Sequence, residues 1–214
     1  MLTIYAFGSL PPFAIGLSRD LRVLWAAEEA GLDYRVRPLD VFKGELKTPD
    51  YLSVQPFGCI PAIEDEGLTL FESAAIVFYL AEKAGQLLPR AAAGRARAQQ
   101  WAFAAMNTVE PQLQALAVID FFHPDEPWAK ARRPAQLELA LNRLRVMEGQ
   151  VGDGPYLLGE DFTAPDILMS TVLRLAGRMG LLDGMPNLAA YNARCEARPA
   201  WQRVLAAYED RLAA

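Results

Sequence analysis

The chain has 214 residues, of which 52% are hydrophobic and 22% are charged, and it carries a formal net charge of −5. These proportions are typical of a globular protein that buries a substantial core, in one large domain or two small ones. A negatively charged chain lacks the basic surface by which proteins hold nucleic acid. No apolar run approaches the roughly 20 residues that a transmembrane helix needs. We therefore expect neither nucleic acid nor a membrane as a partner.

The two cysteines and the single histidine are too scattered to form a cluster. Cys59 and Cys195 lie far apart and make no CxxC pair, and His123 has no neighbouring candidate ligands in the sequence. A disulfide framework or a metal site needs a group of such residues at suitable spacing. We therefore expect no metal, free thiols with Cys195 buried, and a location in the reducing cytoplasm.

The first part of the chain alternates between strand and helix patterns. In chain order the predicted elements are a strand over 2–7, a helix over 19–30, a strand over 34–39, an irregular or briefly helical stretch over 42–54, a hairpin that turns at Glu66-Gly67 and a helix from Ser73 to Ala84. The order β-α-β followed by β-β-α is typical of a thioredoxin-like domain. We therefore predict an α/β domain over residues 1–84.

The second part of the chain reads as helix throughout. A segment rich in Gly, Ala and Pro, residues 85–94, is predicted to be a linker. After it, helical patterns occupy 95–119, 134–150, a stretch that begins near Pro165, 188–197 and 201–212. Thr163 and Asp166 have the spacing of a capping box at the start of the third of these helices. We predict an all-α domain over residues 95–214, and we assign Thr163 and Asp166 to stability.

The segment from Gln55 to Leu80 combines a tight turn, a hairpin and a helix start. Ile60-Pro61 is a candidate cis peptide bond at the turn. A proline there cannot continue a ladder of backbone hydrogen bonds, so neighbouring peptide groups face outward. The helix that opens at Glu72-Ser73 attracts carboxylates to its N-terminus. Such a site suits a small, extended, peptide-like anion.

These residues also resemble a known family. The glutathione-binding segment of the cytosolic glutathione transferases has Asn-Pro, Gly, Val-Pro and then Glu-Ser-x-Ala-Ile-x-x-Tyr-Leu. Here the pattern stands as Gln55-Pro56, Gly58, Ile60-Pro61, Glu72-Ser73, Ala75-Ile76 and Tyr79-Leu80. Gln for Asn and Ile for Val are the departures. Chain length, element order and the Phe-Thr-x-x-Asp-Ile cap extend the resemblance to the whole chain, which implies that family's two-domain fold and a homodimer.

The resemblance implies a set of contacts to glutathione. Ser73 would bind the γ-glutamyl carboxylate through its backbone N–H and hydroxyl, and Glu72 would accept from the ammonium group. Ile60, with Pro61 shaping the turn, would pair its backbone with the cysteinyl amide as an added strand. The structural alternative treats Glu72-Ser73 as a simple helix cap.

The glycine carboxylate of glutathione needs a cationic or amide partner at the other end of the site. Lys47 fits the family's pattern better than Lys43, and Gln55 would contribute from the same rim. The alternative for Lys47 is a solvated surface charge.

Ser18 is the candidate for activation of the glutathione thiol. A free thiol with a pKa of about 8.5 is mostly protonated at pH 7, and lowering that pKa by two units requires roughly 2.7 kcal/mol. One hydrogen bond to the thiolate supplies about 1.5–3 kcal/mol, so a single hydroxyl suffices. Ser18 precedes the first helix and takes the place of the catalytic serine in theta-like and many bacterial members, which places the chain among the bacterial, theta/beta/nu-like, serine-type enzymes. The loop over 8–17 is longer than in that family, so Ser9, Arg19 and backbone amides remain alternative groups that could activate the thiol. The structural alternative for Ser18 is a helix N-cap.

A second, electrophilic substrate would bind between the first-domain loop and the helix after the linker. The predicted lining residues are Phe13 together with Trp101, Phe103, Met106 and Asn107. An apolar lining implies a hydrophobic electrophile. The same spacing also arises from ordinary helix packing.

The sequence therefore predicts a glutathione transferase with a role in detoxification, which uses glutathione as co-substrate and transfers its sulfur to a small hydrophobic electrophile. The alternatives are a non-catalytic binding or regulatory protein of the same fold, or a glutathione-dependent isomerase, dehalogenase or peroxidase. The absence of a cysteine near residues 9–20 argues against an exchange mechanism that uses a protein thiol.

Overall fold

This computed structural model describes residues 1–152 and 154–213. Contacts between Cα atoms group the chain into two compact units, one formed by Met1–Leu88 and the chain from Ala197 onward, the other by Pro89–Glu196. Among the described residues, none of the helices combines the length and the apolar character required to cross a membrane.

The first unit is built on a four-stranded mixed sheet. Its strands are β1 (Leu2–Ser9), β2 (Tyr34–Asp40), β3 (Ala62–Asp65) and β4 (Leu68–Phe71), in the spatial order β2-β1-β3-β4. β1 runs parallel to β2 and antiparallel to β3, and β3 pairs with β4 as a hairpin. The hairpin turns at Glu66 and Gly67, which both have positive φ, as a type I′ turn requires.

Four helices complete the first unit. They are α1 (Asp20–Glu29), α2 (Pro49–Val54), α3 (Ser73–Ala84) and, from the C-terminal end of the chain, α9 (Pro199–Ala213). Short 3₁₀ turns cover Pro12–Ala14 and Glu45–Lys47. Together with the sheet these helices give the α/β, thioredoxin-like arrangement that the sequence predicts.

Helix α9 packs against α1 within this unit. The buried rings of Trp25 and Trp201 lie 4.8 Å apart between centroids. Arg198 pairs with Glu29, and Arg203 Nε donates to Glu28 Oε1 over 2.7 Å.

The predicted division into domains over 1–84 and 95–214, with a linker over 85–94, rests on sequence alone and stays a prediction. That division does not anticipate that α9 joins the first unit.

The second unit is all-helical over its described residues. Its helices are α4 (Ala92–Phe103), α5 (Glu110–Ala117), α6 (Pro127–Glu148), α7 (Ala164–Arg178) and α8 (Pro186–Glu196), with π-helical turns over Ala104–Val109 and Val118–Phe122. This all-α unit after an α/β unit confirms the predicted fold class.

The predicted start of one helix in this unit is wrong. The sequence pattern places the start at Pro134, but α6 begins at Pro127 and Pro134 lies inside it. Pro127 occupies the first turn, where a missing N–H costs nothing. The sequence prediction took Pro134 as the start because proline is common in the first turn of a helix.

The predicted capping box at the start of α7 is present. Thr163 and Asp166 are both buried, and the Asp166 carboxylate accepts from the backbone N–H and the hydroxyl of Thr163 at 2.9 and 2.7 Å. It also accepts from the Leu157 N–H and the Tyr191 hydroxyl, both at 2.9 Å. Asp166 therefore fixes the helix start, the preceding loop and α8 together.

Candidate active site

The turn before β3 presents a main-chain edge. The Ile60-Pro61 bond is cis, as the sequence predicts. The ladder between β3 and β1 ends at the pair Ala62 and Tyr5, so the peptide groups of Ile60 lie just beyond the last paired residue. The side chain of Ile60 is buried with those of Tyr5 and Tyr51. The buried side chain fixes a short piece of main chain that is suited to pairing with an extended ligand.

Three side chains hold this turn in place. The Tyr51 hydroxyl donates to the Cys59 carbonyl over 2.6 Å. The main chain of Phe57 is held on both sides, because its N–H donates to Gln55 Oε1 over 2.7 Å and its carbonyl accepts from Lys47 Nζ over 3.3 Å. Lys47 and Gln55, the two residues predicted to form one rim, therefore both bind the main chain of one residue. Lys47 is exposed and Gln55 is buried.

Gly58 is required at the bottom of the same turn. Its φ is +61°, and a Cβ built there would lie 2.7 Å from both the Leu46 carbonyl oxygen and Lys47 Nζ. A larger residue would push Lys47 away and strain the backbone.

The start of α3 forms the second part of the site. Ser73 is the first helical residue and is buried, and its Oγ accepts from Arg22 Nη1 over 3.2 Å. Glu72 is exposed, its side chain makes no capping hydrogen bond, and its φ is +72°. A non-glycine residue in that region costs about 1–3 kcal/mol, and such residues cluster at ligand sites. Glu72 is therefore an exposed carboxylate at the N-terminus of α3.

Ser18 lies just before α1, whose N-cap is Arg19. The Ser18 hydroxyl donates to Asp20 Oδ1 over 2.5 Å and shares a short hydrogen bond with the Tyr208 hydroxyl. Asp20 is fully buried, and its other oxygen accepts from the Phe7 N–H over 2.9 Å. Burial raises the pKa of Asp20, although the hydrogen bonds from Ser18 and Phe7 oppose that shift. Burial also raises the pKa of Tyr208, so its phenol keeps its proton.

Ser9, the alternative hydroxyl, is engaged elsewhere. It is the last residue of β1, and its Oγ donates to Asp40 Oδ1 over 2.6 Å at the end of β2. This hydrogen bond is the main cause that lowers the pKa of the Asp40 carboxyl. The same carboxylate oxygen accepts from the Phe42 N–H over 2.9 Å. Ser9 therefore ties the ends of two strands together.

Tyr51 connects the turn before β3 to the neighbourhood of Ser18. Its ring contacts that of Tyr5 at 5.4 Å between centroids. Burial raises the pKa of Tyr51, and the nearby Asp20 charge raises it further. Because Tyr51 also donates to the Cys59 carbonyl, the Asp20 charge acts on the same phenol that holds the Ile60 turn.

The residues predicted for the second substrate lie in different units. Phe13 is in the 3₁₀ turn of the first unit and is 36% exposed. In the second unit Trp101 and Met106 are half-buried, while Phe103 and Asn107 are exposed. None of these four is a core residue of its own unit. Met106 and Asn107 belong to a π-helical turn, a feature found frequently at functional sites.

Sequence reasoning did not identify four residues that shape this site, Asp20, Arg22, Tyr51 and Tyr208. Asp20 stands two residues from Ser18, so an acidic residue beside the candidate hydroxyl was an available signal. Tyr208 had no local signal, since 190 positions separate it from Ser18. Within the described part of the chain, no group of His, Cys, Asp and Glu is arranged to hold a metal ion.

A thioredoxin-like unit with a cis-proline turn and an all-helical unit define the architecture of the glutathione transferases. The family model described as "Glutathione S-transferase, N-terminal domain" matches residues 13–82, and the corresponding C-terminal domain model matches residues 109–199. Glutathione S-transferase F10 of Arabidopsis thaliana is 30% identical over 222 residues, which cover 97% of this chain and 98% of the relative. The chain therefore belongs to the glutathione S-transferase family.

Two further proteins are similar over most of the chain. The Disulfide-bond oxidoreductase YfcG of Escherichia coli (strain K12) is 32% identical over 187 residues, covering 83% of this chain and 86% of the relative. A solved structure of a glutathione transferase family member from Pseudomonas fluorescens pf-5, with two glutathione bound, has a TM-score of 0.85 and 30% identity. That comparison covers 95% of this chain and 92% of the other.

Proposed function

We propose that this protein is a glutathione transferase that binds glutathione along the Ile60 turn and the start of α3 and transfers its sulfur to a hydrophobic electrophile. The observation that carries the proposal is the combination of an unpaired main-chain edge at Ile60-Pro61 with the strained Glu72 and the buried Ser73. The glutathione-bound relative from Pseudomonas fluorescens supports glutathione as the ligand.

Each part of glutathione has a partner in this proposal. The γ-glutamyl carboxylate binds the N–H and hydroxyl of Ser73, and the ammonium group binds Glu72. Arg22, which already donates to Ser73 Oγ, adds positive potential from behind. The cysteinyl amide pairs with the Ile60 backbone beside Pro61.

The glycine carboxylate binds Lys47, with Gln55 behind it. Lys47 Nζ is exposed, and its 3.3 Å contact with the Phe57 carbonyl leaves donors for a carboxylate, since an ammonium group has three. Gln55 acts chiefly by fixing the Phe57 peptide.

Ser18 interacts with the glutathione sulfur in this proposal, which makes the enzyme a serine-type member of the bacterial, theta/beta/nu-like group. Ser18 is favoured over Ser9 because Ser9 is bonded to Asp40 at a strand end, whereas Ser18 is bonded to Asp20 near Tyr51. Arg19, exposed beside Ser18, adds positive potential.

The residues proposed to contact the electrophile are taken for each unit separately, Phe13 in the first and Trp101, Phe103, Met106 and Asn107 in the second. Their incomplete burial supports the assignment, because core residues would be fully buried. We also propose a homodimer and a cytoplasmic location, as the family resemblance implies.

A second candidate function is reduction of disulfides by glutathione. The similarity to YfcG, named a disulfide-bond oxidoreductase, and to a structure with two glutathione bound favours it. In that reaction one glutathione thiolate attacks a disulfide sulfur, breaks the S–S bond and expels one thiolate to leave a mixed disulfide. A second glutathione thiolate attacks the glutathione sulfur of the mixed disulfide, expels the other thiolate and forms glutathione disulfide. The same Ile60, Ser73 and Ser18 site would serve both reactions.

The first experiment is calorimetric titration with glutathione at two pH values on the wild type, Ser18→Ala and Ser9→Ala. We expect all three proteins to bind and only Ser18→Ala to lose the thiolate, which is read from its ultraviolet absorbance. Loss of the thiolate in Ser9→Ala instead would transfer the role to Ser9. No binding by the wild type at millimolar glutathione would reject the transferase proposal.

Parallel assays separate the two reactions. A conjugation assay with an aromatic electrophile and a reduction assay with a small disulfide are run on the same preparations. Turnover of the disulfide alone would favour the second candidate.

A further inference from the structure

The hydroxyl of Ser18 already uses its one proton. It donates that proton to Asp20 Oδ1, and the phenol of Tyr208, which stays protonated, donates to Ser18 Oγ. A hydroxyl has one donor and two acceptor sites. One acceptor site of Ser18 therefore remains, and a thiol S–H can donate to it. In this state Ser18 has no proton to give to sulfur.

Asp20 lies at the inner end of this hydrogen-bonded chain. Its side chain is fully buried, and its second oxygen is fixed by the Phe7 N–H. The ionisable groups that interact with it include Tyr208 and Arg211 from α9 and Tyr51 from α2. Arg211 is a cation, and its guanidinium lies over the Tyr208 ring, 4.8 Å from the centroid.

We propose that Asp20 is the base that takes the thiol proton of bound glutathione, with Ser18 as the relay between them. The proposal rests on the proposed function, because it requires the glutathione sulfur at Ser18. The thiol S–H bond breaks and its proton joins Ser18 Oγ, while the original Ser18 proton leaves Oγ and joins Asp20 Oδ1. The sulfur keeps the electron pair. No oxidant, metal or further reactant takes part.

The products of the relay satisfy every hydrogen bond. Ser18 now donates to the thiolate and accepts from protonated Asp20, and it still accepts from Tyr208. The Ser18 hydroxyl thus becomes the thiolate donor only after Asp20 is protonated. One negative charge is present before and after the transfer, but it moves from a fully buried carboxylate to the sulfur.

That movement of charge drives the transfer. A free carboxyl and a free thiol differ by roughly 4–5 pKa units, at about 3.9 and about 8.5. Burial raises the pKa of Asp20, although the hydrogen bonds from Ser18 and Phe7 oppose that shift. The new hydrogen bond from Ser18 lowers the pKa of the thiol. The two shifts act in opposite directions on the two groups and narrow the difference between their pKa values.

The test counts protons released when glutathione binds the wild-type protein near pH 7. Titration in two buffers of different ionisation enthalpy gives the count, and ultraviolet absorbance reports the thiolate. S-methylglutathione, which has no thiol proton, is the matched control for all other proton-linked groups. If the Ser18 hydroxyl only stabilises the thiolate, binding of glutathione releases about one proton more than binding of the S-methyl compound. The relay keeps that proton on Asp20, so we expect a difference close to zero together with a full thiolate signal.

Each result decides between the proposals. A thiolate signal with about one extra proton released overturns the relay and leaves the transferase function intact. Binding without any thiolate signal overturns the relay and thiol activation together. No binding of glutathione rejects the proposed function as well.

Asp20→Asn and Tyr208→Phe extend the test. We expect Asp20→Asn to raise the pKa of the bound thiol by at least one unit, which for a bound thiol lowered to a pKa of about 6.5 is a loss of about threefold or more in thiolate at pH 7. An unchanged thiolate fraction in a folded Asp20→Asn protein would overturn the relay. Tyr208→Phe removes a donor to Ser18 and leaves Asp20 in place, so we expect a smaller rise in the same direction with a near-zero proton count. Because the proton count on the wild type needs no variant, misfolding of Asp20→Asn would not weaken the test.

Discussion

Arg22 of α1 donates to Ser73 Oγ at the first turn of α3 over 3.2 Å, and both side chains are buried. The contact joins two helices that are separate in sequence, one beginning beside Ser18 and the other at the proposed carboxylate site. A buried donor that loses its acceptor costs about 1–3 kcal/mol. The same hydroxyl therefore serves both the stability of the first unit and the proposed binding of glutathione.

Ser73→Ala should lower the free energy of unfolding by about 1–3 kcal/mol, because Arg22 loses a buried acceptor. It should also weaken glutathione binding about tenfold or more, since a hydrogen bond to a charged group contributes about 1.5–3 kcal/mol. Urea denaturation and calorimetric titration measure the two effects. Ser170→Ala is the control, because Ser170 is a buried serine whose hydroxyl donates to the Ile167 carbonyl of its own helix, at 3.4 Å. Equal glutathione affinity in Ser73→Ala and the wild type would contradict the assigned role.

Tyr51→Phe should weaken glutathione binding while leaving the protein folded. The substitution keeps the buried ring but removes the 2.6 Å hydrogen bond to the Cys59 carbonyl, which fixes the residue before Ile60. We expect a several-fold rise in Kd, because part of the binding free energy must then be used to order the turn that the hydrogen bond no longer fixes. Tyr79→Phe is the matched control, since its hydroxyl bonds Asp65 over 2.8 Å, away from the turn. A comparable rise in Kd for both variants would point to a general loss of stability instead.

Asp166→Ala should be the most destabilising of these substitutions. Its carboxylate accepts four hydrogen bonds, from Leu157, Tyr191 and two atoms of Thr163. Loss of an N-cap interaction alone costs about 0.5–2 kcal/mol, and each buried donor left without an acceptor adds to it. Thermal unfolding should show a markedly lower Tm than for Asp161→Ala, an exposed aspartate in the same loop. Glutathione affinity per folded molecule should be unchanged, because Asp166 is in the second unit.

Asp65→Asn should change how stability depends on pH. Burial alone would raise the pKa of Asp65, but the Lys83 ammonium and the Tyr79 hydroxyl outweigh it and lower that pKa. A carboxyl whose pKa is lower in the folded state stabilises the fold above its unfolded value of about 3.9 and loses that effect as the pH falls through the folded value. Asp65→Asn should therefore be less stable than the wild type at pH 7, with the difference shrinking below about pH 4.

Lys83→Met provides the check on that assignment. With the ammonium group removed, the substitution Asp65→Asn should change acid stability much less than it does in the wild type. Urea denaturation of the four proteins across a pH series gives the comparison. An unchanged pH dependence would show that Lys83 does not set the pKa of Asp65.

The features that sequence analysis predicted correctly are local ones. The cis bond at Ile60-Pro61, the turn at Glu66-Gly67 and the capping box at Thr163 each depend on residues within a few positions of one another. Turn and cap residues are selected by backbone geometry at that point, so a single segment carries the full signal. The order of these segments was then sufficient to predict the fold class.

The features that were missed depend on distant contacts or on changes within a helix. The contact between Ser18 and Tyr208 could not be predicted from the residues near Ser18, because the two residues meet only when α9 packs into the first unit. The π-helical turn over Ala104–Val109 has no separate periodicity from which it could be predicted. The strain at Glu72 was not foreseen, since a glutamate is an uncommon choice for positive φ.

The return of α9 to the first unit has a consequence for synthesis of the protein. The residues that contact Glu28, Glu29, Trp25 and Ser18 come from the end of the chain. The ribosome releases these residues after those of the second unit, so the first unit can complete its packing only after the entire second unit has been made. Ser18 acquires its hydrogen bond to Tyr208 at that final stage. Translation that stops before α9 thus yields a protein whose sheet is encoded in full but whose proposed catalytic hydroxyl is not yet positioned.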